Sequence, residues 1–411
     1  MKMVSVCFYF QVHQPFRLRK YQVFEVGHGN NYFDDEKNKA ICQKVARKCY
    51  LPTNRLILDL IKETNSEFRV AFSITGTALE QFELWCPEVI ESFQELVATE
   101  AVELLDETYY HSLAFLFSER EFKEQVKMHR RKMLELFDYK PRVFRNTELI
   151  YNNALAALVE DMGYKGVLAE GADHILGWRS PNFVYRPVNC KKIKLLLKNY
   201  RLSDDIAFRF SCRDWVGWPL TAEKFASWIS AINGNGVVVN LFMDYETFGE
   251  HQWAETGIFE FLRHLPREIL KHPDNNFLTP SEVIETYDAV DEIDVPHIIS
   301  WADVERDLTA WLGNKMQQCA IEKLYELELD VKRTKDEKIL EDWRKLQTAD
   351  HFYYMCTKWF NDGDVHKYFN AFDRPHDAFI SFINVLNDLR IRVKEINESK
   401  KQRAYSILGA R

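Results

Sequence analysis

Apolar runs that end at turn residues alternate with segments of helical spacing from the N-terminus to about residue 250. Runs rich in Val, Ile, Leu and Phe predict strands, whereas apolar residues three or four positions apart predict helices. The predicted strands are Val4–Phe10, Arg69–Ile74, Ala101–Leu105, Arg142–Asn146, Lys165–Ala169, Ile206–Phe210 and Val237–Met243. The predicted helices are Leu51–Glu63, Pro87–Thr99, Ser118–Phe137 and one that ends near Met162.

This alternation of strand and helix is typical of βαβ units with right-handed crossovers, and it predicts a parallel sheet that is closed, or nearly closed, into a barrel. An open doubly wound sheet fits the same alternation. Polar, aromatic and acidic residues follow many different strands, as expected of loops that converge on one face of a barrel. The barrel is therefore the favoured interpretation.

The pattern changes beyond about residue 310. Charged and apolar residues alternate at helical spacing over Ile321–Leu346 and again over Ala378–Ile396, without runs typical of strands. The last segment, 394–411, is rich in Lys and Arg and is expected to be partly solvated. We therefore predict two domains, a catalytic barrel over residues 1–307 and a helical domain over residues 308–411.

The composition limits the classes of function. A net charge of −8 and a pI of about 5.9 give no basic surface for nucleic acid or anionic membrane. No window reaches eighteen apolar residues, and the N-terminus lacks the pattern of a signal peptide. The 8 cysteines form no Cys-x-x-Cys pair, so free thiols in a reducing cytoplasm are expected. Aromatic residues make up 14% of the chain, which is unusually frequent. Those in excess of what the core needs could line a site for sugar rings.

Two carboxylates come directly after buried strands. Asp244 ends the apolar run Val237–Met243, and Glu148 lies just beyond Arg142–Asn146. An acid at the carboxyl end of a buried parallel strand is costly unless it is solvated or used, and barrels place their chemistry at that end. Either acid alone could instead cap the helix that follows it.

Glu148 and Asp244 together indicate more about function than either residue alone. The fourth and seventh strands of a barrel face each other across its mouth, so Glu148 and Asp244 could point at one bond. Glycosyl transfer with retention needs one carboxylate to attack the anomeric carbon and a second, protonated one to serve the leaving oxygen. The pair therefore predicts a retaining glycosidase.

Five segments in order along the chain resemble the motifs of glycoside hydrolase family 57, most closely those of its α-amylase-like branch. They are His13-Gln14-Pro15, Thr108-Tyr109-Tyr110-His111, NTELIYNN at 146–153, DYETFGEH at 244–251 and QTADHFYY at 347–354. The resemblance spans the first 300 residues and extends into the helical part. It implies a distorted (β/α)7 barrel followed by a helical C-terminal domain, with no metal and no cofactor.

The resemblance also implies roles for single residues. Glu148 would be the nucleophile and Asp244 the general acid/base, acting on α-1,4-glucans such as starch, glycogen or maltooligosaccharides. The residues expected to bind substrate are His13, His111, Glu246 and Asp350, with Trp178 and Trp301 as stacking platforms for sugar rings. Asp350 would reach the site from the helical domain.

Three other functions fit parts of the pattern. A 4-α-glucanotransferase of the same family shares every motif, because transfer and hydrolysis differ only in which acceptor reaches the intermediate. A metal-dependent polysaccharide deacetylase would need imidazoles grouped around a cation, and the chain has no His-x-x-x-His. A catalytically silent glucan-binding paralogue would be expected to have lost one of the two carboxylates.

Overall fold

The structure is a computed structural model that describes residues 4–29, 31–358 and 370–409. Its strands are β1 Val4–Val12, β2 Val70–Ile74, β3 Val102–Leu104, β4 Val143–Arg145, β5 Gly166–Glu170, β6 Val184–Pro187, β7 Lys194–Lys198, β8 Val238–Asp244, β9 Asn275–Phe277 and β10 Glu292–Ile293. Six of the seven predicted strands are confirmed to within two residues at each end.

Helices fill the intervals between strands and make up the C-terminal part. In the first three hundred residues they are α1 Asp35–Val45, α2 Leu51–Glu63, α3 Gly76–Trp85, α4 Pro87–Val97, α5 Ala114–Phe117, α6 Glu119–Phe137, α7 Asn153–Asp161, α8 Asp173–Leu176, α9 Tyr200–Ala207, α10 Ala222–Ser230, α11 Ile258–Leu270 and α12 Pro280–Thr286. The later helices are α13 Thr309–Leu312, α14 Lys315–Glu326, α15 Glu328–Thr334, α16 Glu337–Lys345, α17 Ala349–Tyr353 and α18 Pro375–Gly409.

Seven parallel strands form a ring that two irregular junctions distort. Ladders join β8, β1, β2 and β3 on one side and β4, β5 and β7 on the other. Between β3 and β4, the backbone carbonyl of Asp106 accepts from the backbone N–H of Arg145 at 2.9 Å. The backbone N–H of Asp106 donates to the carbonyl of Val143 at 3.0 Å. Between β7 and β8, the amide of Asn240 donates to the carbonyl of Leu197 at 2.9 Å. The chain is thus a distorted (β/α)7 barrel, with β6, β9 and β10 added outside the ring.

The prediction of a strand at Ile206–Phe210 is wrong. Ile206 lies in helix α9, whose first turn is capped by the side chain of Asn199. The place of that strand in the ring is taken by β7, Lys194–Lys198, where three leucines lie between two lysines. The Nζ of Lys194 donates to two backbone carbonyls and that of Lys198 to Asp204, so both lysines are accommodated next to a buried strand.

Helical structure over Ile321–Leu346 is confirmed, but it is divided among α14, α15 and α16. The chain reverses at Lys335, which has a φ of 48°, and α16 restarts with Asp336 as its N-cap. The described part of the chain contains no helix that is long and apolar enough to cross a membrane.

The C-terminal helices share a hydrophobic core with the loop that follows β1. The large buried side chains of that core include Phe16, Tyr21 and Phe33 from the loop and Trp311, Trp343, Phe352 and Phe382 from the helices. This packing holds α17 over the carboxyl ends of the barrel strands. The domain division at residue 307 stays a prediction, although helix α13 begins just beyond it.

Candidate active site

Glu148 lies in a tight turn just past β4. Its backbone has a φ of 56°, and Leu149 after it has a φ of 49°. Residues other than glycine rarely adopt this left-handed conformation, which persists only where the surrounding structure fixes it. His111, which follows β3, has the same feature with a φ of 50°. The backbone therefore directs these two side chains toward each other.

Both oxygens of the Glu148 carboxylate are hydrogen bonded. His111 Nε2 lies 2.9 Å from Oε1, and the indole Nε1–H of Trp301 donates to Oε2 at 2.7 Å. The side chain is almost fully buried, at 2% exposure for the residue. Two donors fix the plane of the carboxylate and stabilise its charge where water is excluded.

The other side of His111 faces a second carboxylate. His111 Nδ1 lies 3.3 Å from Oε2 of Glu107, which is fully buried. Burial disfavours the charged imidazole, but the hydrogen bonds to Glu107 and Glu148 outweigh it and raise the pKa of His111 to about 9. Burial also acts against ionised Glu107, yet His111 and Arg145 lower the pKa of Glu107 to about 2. At neutral pH His111 is an imidazolium between carboxylates.

His13 connects the barrel to the helical part. Its Nε2 lies 2.9 Å from Oδ2 of Asp350 in α17, and its Nδ1 lies 3.0 Å from the hydroxyl of Thr75. The ring stacks on that of His111, with centroids 4.0 Å apart and planes tilted by 24°. Burial and the charge of His111 lower the pKa of His13 to about 4, so this imidazole is neutral at neutral pH.

Asp244 and Glu246 form the third part of the site, at the end of β8. Asp244 is half-buried and lies opposite Gln11 in the β1–β8 ladder. Glu246 is buried and accepts from the hydroxyl of Tyr50 and from the backbone N–H of His13. Burial, together with the charge of Asp244, raises the pKa of Glu246 to about 8. The pair therefore holds a proton at neutral pH, and Asp244 is the more exposed of its two carboxyl groups.

The two predicted tryptophans differ in their placement. Trp301 is packed against Glu148, and two cations lie near its ring, Arg145 at 5.0 Å and Lys198 at 5.4 Å from the centroid. Trp178 is 85% exposed and stacks with its neighbour Arg179 at 5.1 Å. The structure thus brings Trp301 into the buried cluster and leaves Trp178 outside it.

Three of these side chains are also close enough to share a cation. Among the described residues, His13, His111 and Asp350 each offer one ligand atom, and these atoms lie within 4.8 Å of one another. Each imidazole nitrogen already faces a hydrogen-bonding oxygen, from Thr75 or from a carboxylate. We therefore interpret the three as members of one hydrogen-bond network.

The sequence-based prediction missed Glu107, Gln11, Arg145 and Tyr50, which hold the predicted residues in place. Glu107 had a usable signal, because it is an acid just past a buried strand, as are Glu148 and Asp244. Arg145 had a weaker one, as a cation inside an apolar strand. Gln11 and Tyr50 had none, because amides and tyrosines near strand and helix ends are common.

A family model and a protein relative each match most of the chain. The model of glycosyl hydrolase family 57 matches residues 7–296. A protein of Methanocaldococcus jannaschii whose name as an α-amylase is provisional is 48% identical over 407 residues, covering 95% of this chain and 85% of that protein.

Solved structures share the fold at low identity. The family 57-type branching enzyme of Pyrococcus horikoshii aligns with a TM-score of 0.64 and 15% identity, over 86% of each chain. The 4-α-glucanotransferase of Thermococcus litoralis aligns with a TM-score of 0.62 and 16% identity, over 86% of this chain and 56% of that one. At such identities the likeness shows the fold alone.

These matches, together with the fold, define a glycoside hydrolase. Because the family model covers residues 7–296 and the relative is 48% identical over nearly the whole chain, the family is settled. The chain belongs to glycosyl hydrolase family 57.

Proposed function

We propose that the protein is a retaining glycoside hydrolase that acts on α-1,4-glucans through a covalent glycosyl-enzyme intermediate. The observation that carries this proposal is the Glu148 carboxylate, buried and held on both oxygens by His111 and Trp301. A carboxylate fixed in this way is ionised and aligned, which a nucleophile needs. The accessible acid Asp244 supplies the second group that retention requires.

In the first step, a carboxylate oxygen of Glu148 bonds to the anomeric carbon and the glycosidic bond breaks. Asp244 gives its proton to the leaving oxygen, so the departing chain leaves as an alcohol. In the second step, Asp244 takes a proton from water, and the hydroxyl displaces Glu148 from the anomeric carbon. Two displacements restore the α configuration, and Glu148 regains its charge.

The remaining predicted residues are proposed to hold the sugar. Glu246 can hydrogen bond with a sugar hydroxyl, and Asp350 can accept from one while it remains bonded to His13. His111 would act on the bound sugar indirectly, through its hydrogen bond to Glu148. Trp301 is a candidate platform for the ring, and the exposed Trp178 is a candidate for outer sugar units.

A 4-α-glucanotransferase is the second candidate, because the same fold occurs in the enzyme of that name from Thermococcus litoralis. Transfer uses the same intermediate and replaces water by a sugar hydroxyl in the second step. We also propose a cytoplasmic location, supported by eight cysteines that are all free thiols.

The products of one maltooligosaccharide of defined length test the proposal. Chromatography over time should show only shorter chains if water is the acceptor, and chains longer than the input if a sugar is. Glu148→Gln, purified in parallel, is the control for contaminating amylases. An unchanged substrate profile with folded wild-type protein would reject action on α-1,4-glucans.

A further inference from the structure

A line of buried polar side chains leads from β1 to the proposed nucleophile. The amide of Gln11 donates to Oε1 of Glu107 at 3.1 Å, and Oε2 of Glu107 lies 3.3 Å from His111 Nδ1. His111 Nε2 then lies 2.9 Å from Oε1 of Glu148. None of the roles described above uses Glu107, although it is as deeply buried as the groups around it.

The number of protons on His111 follows from this arrangement. A neutral imidazole has one N–H, so it can donate to only one of the two carboxylates and would present a lone pair to the other. The conflict disappears if the ring is protonated or if one carboxyl group is. Both carboxyl groups are stabilised as anions by other groups, Glu107 by the amide of Gln11 and the nearby guanidinium of Arg145, and Glu148 by the indole N–H of Trp301. The geometry therefore favours an imidazolium.

Arg145 is a second positive charge, besides His111, close to the carboxylate of Glu107. Its guanidinium is fully buried with Nη1 3.8 Å from Oε2 of Glu107, and none of its nitrogens has a hydrogen-bond partner among the described residues. It also lies 5.0 Å from the ring of Trp301. Arg145 thus acts as a positive charge beside Glu107, and that charge also opposes protonation of His111.

The groups that face His111 come from several elements. Glu107 and His111 follow β3, Arg145 belongs to β4, and Glu148 lies in the turn after β4. The neutral ring of His13 covers one face of the imidazole, with Asp350 behind it. Two carboxylates are therefore in direct contact with His111, and Glu107 is the one that takes no part in the bond rearrangement.

We propose that Glu107 is a positioning residue that keeps His111 charged and directed at Glu148, so that the nucleophile stays ionised and oriented. The inference rests on the nucleophile role proposed for Glu148. Without the charge of Glu107, Glu148 alone would hold the proton on His111 against burial and the charge of Arg145, so the pKa of His111 would fall. Glu148 would then lose a charge-assisted hydrogen bond, which is roughly twice as strong as a neutral one.

Kinetics of Glu107→Gln test the proposal with a maltooligosaccharide that carries an aryl leaving group, for which no proton from Asp244 is needed. We expect the loss of kcat/KM to be at least ~10-fold larger at pH 8 than at pH 5.5, since one pKa unit changes a protonated fraction about tenfold. Glu107→Asp should restore much of the wild-type profile. An equal loss at both pH values would mean that Glu107 is only structural.

Glu103→Gln is the matched control. Glu103 is a buried carboxylate in the same β3 segment, and it accepts from the backbone and hydroxyl of Ser281, away from the site. Its amide variant should lower activity equally at both pH values, if at all. A pH-dependent loss like that of Glu107→Gln would overturn the specific role of Glu107.

Nitrogen NMR of ¹⁵N-histidine-labelled protein gives a test that needs no turnover. The signals of His111, identified by their absence in His111→Gln, should be those of an imidazolium at pH 8 in wild type and in Glu107→Asp, and of a neutral ring in Glu107→Gln. A neutral His111 in the wild type would overturn the proposal even if Glu107→Gln failed to fold. Inactive wild type with charged His111 would reject the proposed function alone.

Discussion

His13 and His111 are stacked with ring centroids 4.0 Å apart, yet only one of the two imidazoles is charged at neutral pH. His111 lies between Glu107 and Glu148, whereas His13 has one carboxylate partner and a hydroxyl. The charge on His111 itself helps to keep His13 neutral. In the stacked pair, the charged ring of His111 therefore contacts the nucleophile, and the neutral ring of His13 contacts the helical part.

Glu148→Gln should abolish turnover and leave the fold intact. The amide has the same shape but cannot form the covalent intermediate. We expect kcat to fall below about a hundredth of the wild-type value, a loss above roughly 3 kcal/mol in transition-state stabilisation. Steady-state kinetics would measure the loss of turnover, and circular dichroism would check that the fold is intact. A variant with higher residual activity would remove Glu148 from the nucleophile role.

Asp244→Asn should be much less damaging with an activated substrate than with a natural glucan. An aryl leaving group departs without a proton, so the first step no longer depends on Asp244. The comparison is the ratio of kcat/KM for the variant and the wild type on each substrate. Equal losses on both substrates would exclude Asp244 as the general acid.

Asp350→Ala should raise KM or lower kcat by about tenfold or more without unfolding the protein, because it removes the partner of His13 and a proposed contact to sugar. Asp388→Asn is the control. Asp388 is also buried in the helical part, where it accepts from Tyr32 and the backbone of Gly27. Its variant should lower the melting temperature and keep kcat, so similar kinetic losses in both variants would argue against a special role for Asp350.

Stability should fall as the pH drops from about 6.5 toward 4, in part because of His351. Burial lowers the pKa of His351 from 6.5 to about 4, so the unfolded chain binds its proton first and acid favours unfolding. The full contribution is about 3 kcal/mol. His351→Gln should therefore show a smaller change in melting temperature over this range than wild type. An unchanged slope would mean that His351 is already protonated in the folded protein.

Activity on an α-1,4-glucan should survive dialysis against EDTA, with the first product in the α configuration. The proposed steps use only Glu148 and Asp244, whereas a deacetylase depends on its metal for the attacking hydroxide. Proton NMR within the first minutes of reaction distinguishes the anomers before mutarotation. A β product, or activity that returns only after zinc is added, would contradict the mechanism.

The strands that sequence reasoning found contain apolar runs that end at turn or polar residues, such as Val70–Ile74 and Val238–Asp244. Strand Lys194–Lys198 was missed because its lysines resemble a solvated turn, and their partners on α9 and near α12 are visible only in three dimensions. The segment Ile206–Phe210 was misassigned because five residues with few charges fit the end of a helix as well as a strand.

The site could be predicted in part for a similar reason. Glu148 and Asp244 were found because each follows a strand, which is a local signal. Asp350 came only from the family resemblance, since 337 residues separate it from His13 and no local pattern encodes that contact. Glu107 carried the same local signal as the catalytic pair, but a single acid does not reveal which of its neighbours it holds.

The contact between His13 and Asp350 also has a consequence for biosynthesis. His13 and the proposed catalytic acids are translated before Asp350 and the C-terminal helices that pack on the loop after β1. A nascent chain that has not yet released those helices has both proposed catalytic acids but lacks the anchor of His13. The proposed site is thus expected to become complete only after the segment that carries Asp350 has left the ribosome, and chains that terminate before Asp350 are expected to be inactive.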